Sequence, residues 1–151
     1  MDEPEGLART TTQLATTVVA AAILAIGILG FVPGVTTGLG DISWAGPGTD
    51  ARLLGWTDVS VLHNVAHIAT GILGLAMSRT LAAAEMFLIG SGLIAALLGV
   101  YGLVIDAGTG SNFMAVDRPS SWLHLVVGVA LVFLGVALPR RDDGPTSATY
   151  R

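Results

Sequence analysis

Four long apolar runs, at about 14–32, 59–78, 83–105 and 121–138, dominate the chain. Each is near the ~20 residues that a helix needs to cross a bilayer. Two polar, glycine-rich connections (33–58 and 106–119) and one short turn (Ser78-Arg79-Thr80) separate them. The pattern predicts an all-α protein of four transmembrane helices, with an irregular extracytoplasmic loop between the first two. The membrane domain is expected over 13–138, between an N-terminal segment (1–12) and a polar tail (139–151). The first run ends at Phe31-Val32-Pro33-Gly34, where proline stops a helix and glycine frees the chain. A short strand or 3₁₀ turn is expected within Asp41–Trp44. Thr57 or Asp58 is expected to cap the second helix, and a serine of Pro119-Ser120-Ser121 the fourth.

Within the second run, small and polar residues recur every three or four positions: Ser60, Asn64, His67, Gly71, Gly74 and Ser78. Lipid tails are as apolar as leucine, so membrane helices associate through close backbone approach and polar contacts. The other runs carry similar seams. Thr16, Ala20, Gly27 and Gly30 lie on the first, Gly92, Ala95, Gly99 and Gly102 on the third, and Gly128 and Gly135 on the fourth. Packing and loops thus account for most of the 20 glycines. They form no GxGxxG or GxxxxGK[ST] phosphate loop.

Composition agrees with the pattern. The 151 residues are 52% hydrophobic and 12% charged, about half the charge of a soluble domain. A net charge of −4 without a basic cluster excludes nucleic acid as a partner. The absence of cysteine excludes disulfides, thiolate metal sites and cysteine nucleophiles. All seven basic residues are arginine. Arg9, Arg79, Arg140, Arg141 and Arg151 fall on one side of a four-span chain, Arg52 and Arg118 on the other. The positive-inside rule then places both termini in the cytoplasm and the two long loops outside the plasma membrane. Trp44 and Trp56 read as interfacial anchors, and Arg140-Arg141 as a membrane-edge pair.

The candidate chemistry is histidine. His63 and His67 stand at i and i+4, on one helical face, and His124 begins the fourth helix on the same side. Three imidazoles can hold zinc or copper with one position open. Bis-histidine haem ligation is also possible, as is a lipid or quinone site beneath the 33–58 loop. Asn64, Asp58, Asp106, Asp117 and Tyr101 are the expected supporting partners. The leading expectation remains structural, with the histidines as staples that tie loop carbonyls to the helices. No HExxH motif is present, since Asn64 stands where its glutamate would be. No catalytic set emerges, and the first functional expectation is a non-enzymatic membrane protein, such as an accessory subunit of a larger complex or a homo-oligomer.

The motif His63-Asn64-Val65-Ala66-His67 followed by Gly71 and Gly74, the pair Leu123-His124 with Gly128, and the Phe31-Val32-Pro33-Gly34 ending occur in one order. In this the chain resembles a family of small four-helix integral membrane proteins, abundant in actinobacteria and known only as a domain of unknown function. The resemblance runs from Leu14 to Leu138. It implies a four-helix membrane fold and no enzyme. Where the family often has Asp-Asn before its last histidine, this chain has Ser120-Ser121-Trp122.

Overall fold

The computed structural model describes residues 9–138. The expected tail (139–151), with Arg140-Arg141, and residues 1–8 lie outside the described residues. Four helices follow in order: α1 (Thr11–Leu29), α2 (Val61–Met77), α3 (Leu81–Val104) and α4 (Arg118–Ala137). Helices α1, α3 and α4 are long and apolar enough to cross a membrane, whereas α2 is apolar but has only 17 residues. Large side chains such as Ile94, Leu97, Val104 and Phe133 lie exposed on their flanks. Such surfaces are stable against lipid rather than water, so the chain is a membrane protein.

The helices pack as two antiparallel pairs, α1 with α2 and α3 with α4. The small-residue seams explain both. A Cβ on Gly27 would lie 2.7 Å from the Asn64 carbonyl oxygen, and one on Gly71 would lie 2.6 Å from Leu24. In the other pair, a Cβ on Gly92 would meet the Gly128 carbonyl oxygen at 2.7 Å, and one on Gly99 the Leu125 nitrogen at 2.6 Å. Only glycine permits backbones this close. The pairs join at the end away from the long loops. Thr16 Oγ1 donates to the Ala84 carbonyl (3.2 Å) and Gln13 Nε2 to the Arg79 carbonyl (2.8 Å). Gly74 fits between Ala20 and Phe87.

The helix ends depart from expectation in informative ways. Helix α1 stops at Leu29 with Gly30 as its C-cap, and Phe31 and Val32 continue in tight turns. The cap of α2 is Ser60, whose Oγ accepts from His63 N–H at 3.2 Å, not Thr57 or Asp58. Those two residues instead form strand β3 (Thr57–Asp58), paired with β2 (Arg52–Leu53), which pairs with β1 (Thr36–Thr37). The 33–58 connection is therefore not wholly irregular. It holds a small antiparallel sheet and a 3₁₀ turn at Leu39–Asp41, earlier than the expected 41–44. Helix α4 starts at Arg118, capped by Asp117 in a reciprocal box with Ser120, rather than by a serine.

Both loops knit into one cap. The first N–H groups of α2, on Val61 and Leu62, donate to the carbonyls of Ser43 (3.0 Å) and Trp44 (2.9 Å). A helix start leaves such donors without partners inside the helix, and here the loop supplies the acceptors. Gly46 N–H reaches the Phe113 carbonyl (2.9 Å), and Asp58 N–H reaches Asp117 Oδ2 (3.1 Å).

Candidate functional site

Under this cap the three histidines meet. The backbones of α2 and α4 are not packed as closely as those within either pair, and imidazoles occupy the space between them. The His63 and His67 rings stack at 4.8 Å between centroids, 18° from parallel. The His124 ring lies 5.3 Å from the first and 5.8 Å from the second. One ring nitrogen from each lies within 4.8 Å of the others. His63 is buried, while His67 and His124 are half-buried.

The orientation of each ring follows from what its Nδ1 touches. His67 Nδ1 lies 3.0 Å from the carbonyl of His63, and His124 Nδ1 lies 2.7 Å from that of Ser120, each four residues back on its own helix. His63 Nδ1 lies 3.1 Å from the Met114 carbonyl, in the connection before α4. A carbonyl can only accept, so each Nδ1 carries the proton and donates. In the neutral ring, each Nε2 then keeps its lone pair free. This is the tautomer that metal-bound histidines usually show, with a backbone carbonyl fixing the ring from behind.

The cap holds two of those carbonyls. Before α4, Asn112 is buried and clamps its own loop: its Oδ1 accepts from Val116 N–H (2.9 Å), and its Nδ2 donates to the carbonyls of Val116 and Ala107 (both 3.1 Å). The chain between passes through Ala115 at φ 54°, a left-handed conformation that costs a residue with a Cβ roughly 1 kcal/mol. Met114 precedes it and turns its carbonyl onto His63. At Ser120, the Asp117 box fixes the first turn of α4: Asp117 Oδ1 accepts from Ser120 N–H (2.9 Å), and Ser120 Oγ accepts from Asp117 N–H (3.1 Å).

The expected supporting partners divide. Asp117 holds the turn that aims His124, and Asp58 contacts Asp117 through its N–H while its carboxylate pairs with Arg52 at 3.0 Å. Burial, then the Asp117 charge, pushes the Asp58 carboxyl above its usual value of 3.8, against the pull of Arg52. Asn64 turns away toward α1: its side chain lies against Gly30, and its buried Nδ2 has no hydrogen-bond partner. Asp106 bonds Gly108 within its own loop, and Tyr101 bonds the Ser111 carbonyl and packs on Phe113. Neither contacts the imidazoles through any of these bonds. Asn112 and Met114 carry no signal in the sequence, and Ser60 is legible there only as a seam position, not as the cap of α2. A buried loop asparagine has no periodic signature, and a carbonyl acceptor has no side-chain signature at all.

Comparison with curated proteins and with solved structures finds no match. A family model does match, over residues 13–137, which takes in α2, α3 and α4, all but the first two residues of α1, and every residue of the histidine cluster. The chain therefore belongs to the family described as Domain of unknown function (DUF4383).

Proposed function

We propose that this is a membrane metal-binding protein that holds one zinc(II) or copper(I) ion on the Nε2 atoms of His63, His67 and His124. The observation that carries the reading is the division of labour within each ring: Nδ1 is committed to a carbonyl, and one nitrogen from each residue lies within 4.8 Å of the others. Three imidazoles bound at 2.0–2.1 Å place their nitrogens ~3.4 Å apart. Closing the cluster onto an ion therefore asks each pair of donor nitrogens to approach by at most about 1.4 Å. Imidazole suits zinc and copper, and no thiolate or carboxylate joins the cluster among the described residues.

The structural reading of the histidines has support of its own, because His63 does staple the loop before α4 to α2. The two readings use different nitrogens and predict different outcomes. Protein purified in mild detergent, stripped with chelator and titrated with Zn(II), or with Cu(I) under anaerobic conditions, should take up one ion per chain. X-ray absorption should show three nitrogens near 2.0 Å. His67→Ala and His124→Ala should each lower affinity at least 100-fold while the helical signal persists. Loss of thermal stability in these variants with no stoichiometric metal in the parent protein would leave only the staple.

We place the cluster and cap on the extracytoplasmic face of the plasma membrane, by the arginine distribution. The glycine seams are filled by this chain's own helices, so they lend no support to docking on a larger complex. Haem or a quinone would need a wider opening between α2 and α4 than three touching imidazoles leave.

A further inference from the structure

On the lipid-facing side of α4, away from the histidines, Trp56, Arg118, Pro119, Trp122, Leu123 and Val126 line an open groove of about 480 Å³. Trp56 and Trp122 are 60% and 55% exposed, one from the β2–β3 hairpin and one from the first turns of α4. Indole rings favour the headgroup level of a bilayer. Two of them flanking the start of an apolar 20-residue helix place the groove at the membrane boundary. Below them Leu123 and Val126, 45% and 63% exposed, continue the groove along α4 with apolar surface only.

Arg118 is the charged member of this lining, and it is exposed. The nearest carboxylates are engaged elsewhere. Asp117 accepts from Ser120 N–H and from Asp58 N–H, and Asp58 pairs with Arg52. Among the described residues, no carboxylate forms an ion pair with Arg118. A guanidinium that shares one groove with two indoles and an apolar stripe matches one kind of molecule: an anion at headgroup depth that carries acyl chains. Arginine binds phosphate through paired donors in a planar fork. We propose that the groove holds an acidic phospholipid, with Arg118 on its phosphate, Trp56 and Trp122 beside its glycerol region, and an acyl chain along Leu123 and Val126. A second copy of the chain is the alternative occupant, but nothing in the groove supplies a charge complementary to Arg118 from another such groove. The proposal is independent of metal binding.

The test uses a Trp44→Phe background, which leaves only Trp56 and Trp122 of the three indoles in the sequence. Trp44 is 72% exposed and contributes only its backbone carbonyl to α2, so this change leaves the cap intact. In nanodiscs, phosphatidylglycerol with brominated acyl chains is compared with brominated phosphatidylcholine at equal mole fraction. The expected result is preferential quenching of tryptophan fluorescence by the acidic lipid. The preference should fall about fivefold in Arg118→Gln, the share of one cation beside anionic lipid. Arg118→Lys should retain most of it. In the unaltered groove, 0.5 M salt should weaken it too, which keeps the test decisive if a variant fails to fold. Equal quenching by the two lipids, or a preference that survives both Arg118→Gln and salt, overturns the proposal. So does protection of both indoles from either lipid, which would mean that a second copy covers the groove.

Discussion

His63 shows how much one side chain is asked to do. Its backbone N–H is capped by Ser60, its carbonyl receives His67, and its ring reaches Met114, 51 positions along the chain. The spacing of His63 and His67 is visible in the sequence because a helix repeats every 3.6 residues. The Met114 contact is not, because it depends on how two loops fold over each other. That makes Asn112 the residue to test. Asn112→Ala should strip partners from the buried Val116 N–H and carbonyl, at a cost of about 2 kcal/mol. It should also loosen Met114 and lower metal affinity by 10- to 100-fold, the usual effect of losing a group that orients a ligand. Faster amide exchange over 105–117, together with a weaker metal titration, would be the joint signature; unchanged affinity would separate the loop from the cluster.

Asp58 is tested by pH. Its folded-state value lies above 3.8, chiefly through burial and the charge of Asp117. The folded protein therefore holds this proton more tightly than the unfolded chain does. The stability that the protonated form contributes is complete below 3.8 and is lost as pH rises through the raised value. Asp58→Asn removes the titration and sacrifices only an exposed pair with Arg52, which is worth little. Melting curves from pH 4 to 7 should show the variant as stable as the parent or more so at pH 7, with the difference shrinking toward pH 4.

At the scale of elements, the helices and their seams were legible because both are periodic. Gly71, Gly74, Gly92, Gly99, Gly128 and Gly135 are all buried at helix contacts. The caps were less legible. Thr57 and Asp58 have the right chemistry to cap α2, but pairing with β2 claims them, and Ser60 takes the role. Asp117 outcompetes the serines at α4 because it alone lies one residue before the helix with a carboxylate free to face Ser120 N–H. The seams predict unequal costs for equal changes. Gly99→Val drives its side chain into the α4 backbone at Ser121 and Leu125 and should cost about 3 kcal/mol. Gly90, on the same helix, has nothing within 4 Å of an added Cβ. Gly90→Ala should therefore stabilise α3 by about 0.5–1 kcal/mol. Thermal unfolding in one detergent would compare the two, and equal destabilisation would mean that the α3–α4 seam is not as close as described.

At the scale of the whole molecule, the short helix decides the topology. Seventeen residues of α2 span about 26 Å, a little less than the ~30 Å apolar core of a bilayer. Packing compensates for the length. Gly27 lies against Ile68 and Gly71 against Leu24, so α2 runs antiparallel to α1 at the same depth. At the far end Gln13 bonds the Arg79 carbonyl, which holds the α2–α3 turn level with the start of α1. If α1 crosses the bilayer, α2 is carried across with it, and the histidine cap and Arg79 lie on opposite faces. The absence of native cysteine makes this directly measurable. Gly40 and Gly110 are exposed in the two cap loops with open space around them, and Arg79 is exposed at the opposite end. In intact cells, a membrane-impermeant maleimide should label Gly40→Cys and Gly110→Cys, and should label Arg79→Cys only after permeabilisation. Labelling of all three from outside would mean that α2 turns back without crossing; labelling of Arg79→Cys alone would invert the protein and put the histidine cluster on the cytoplasmic face.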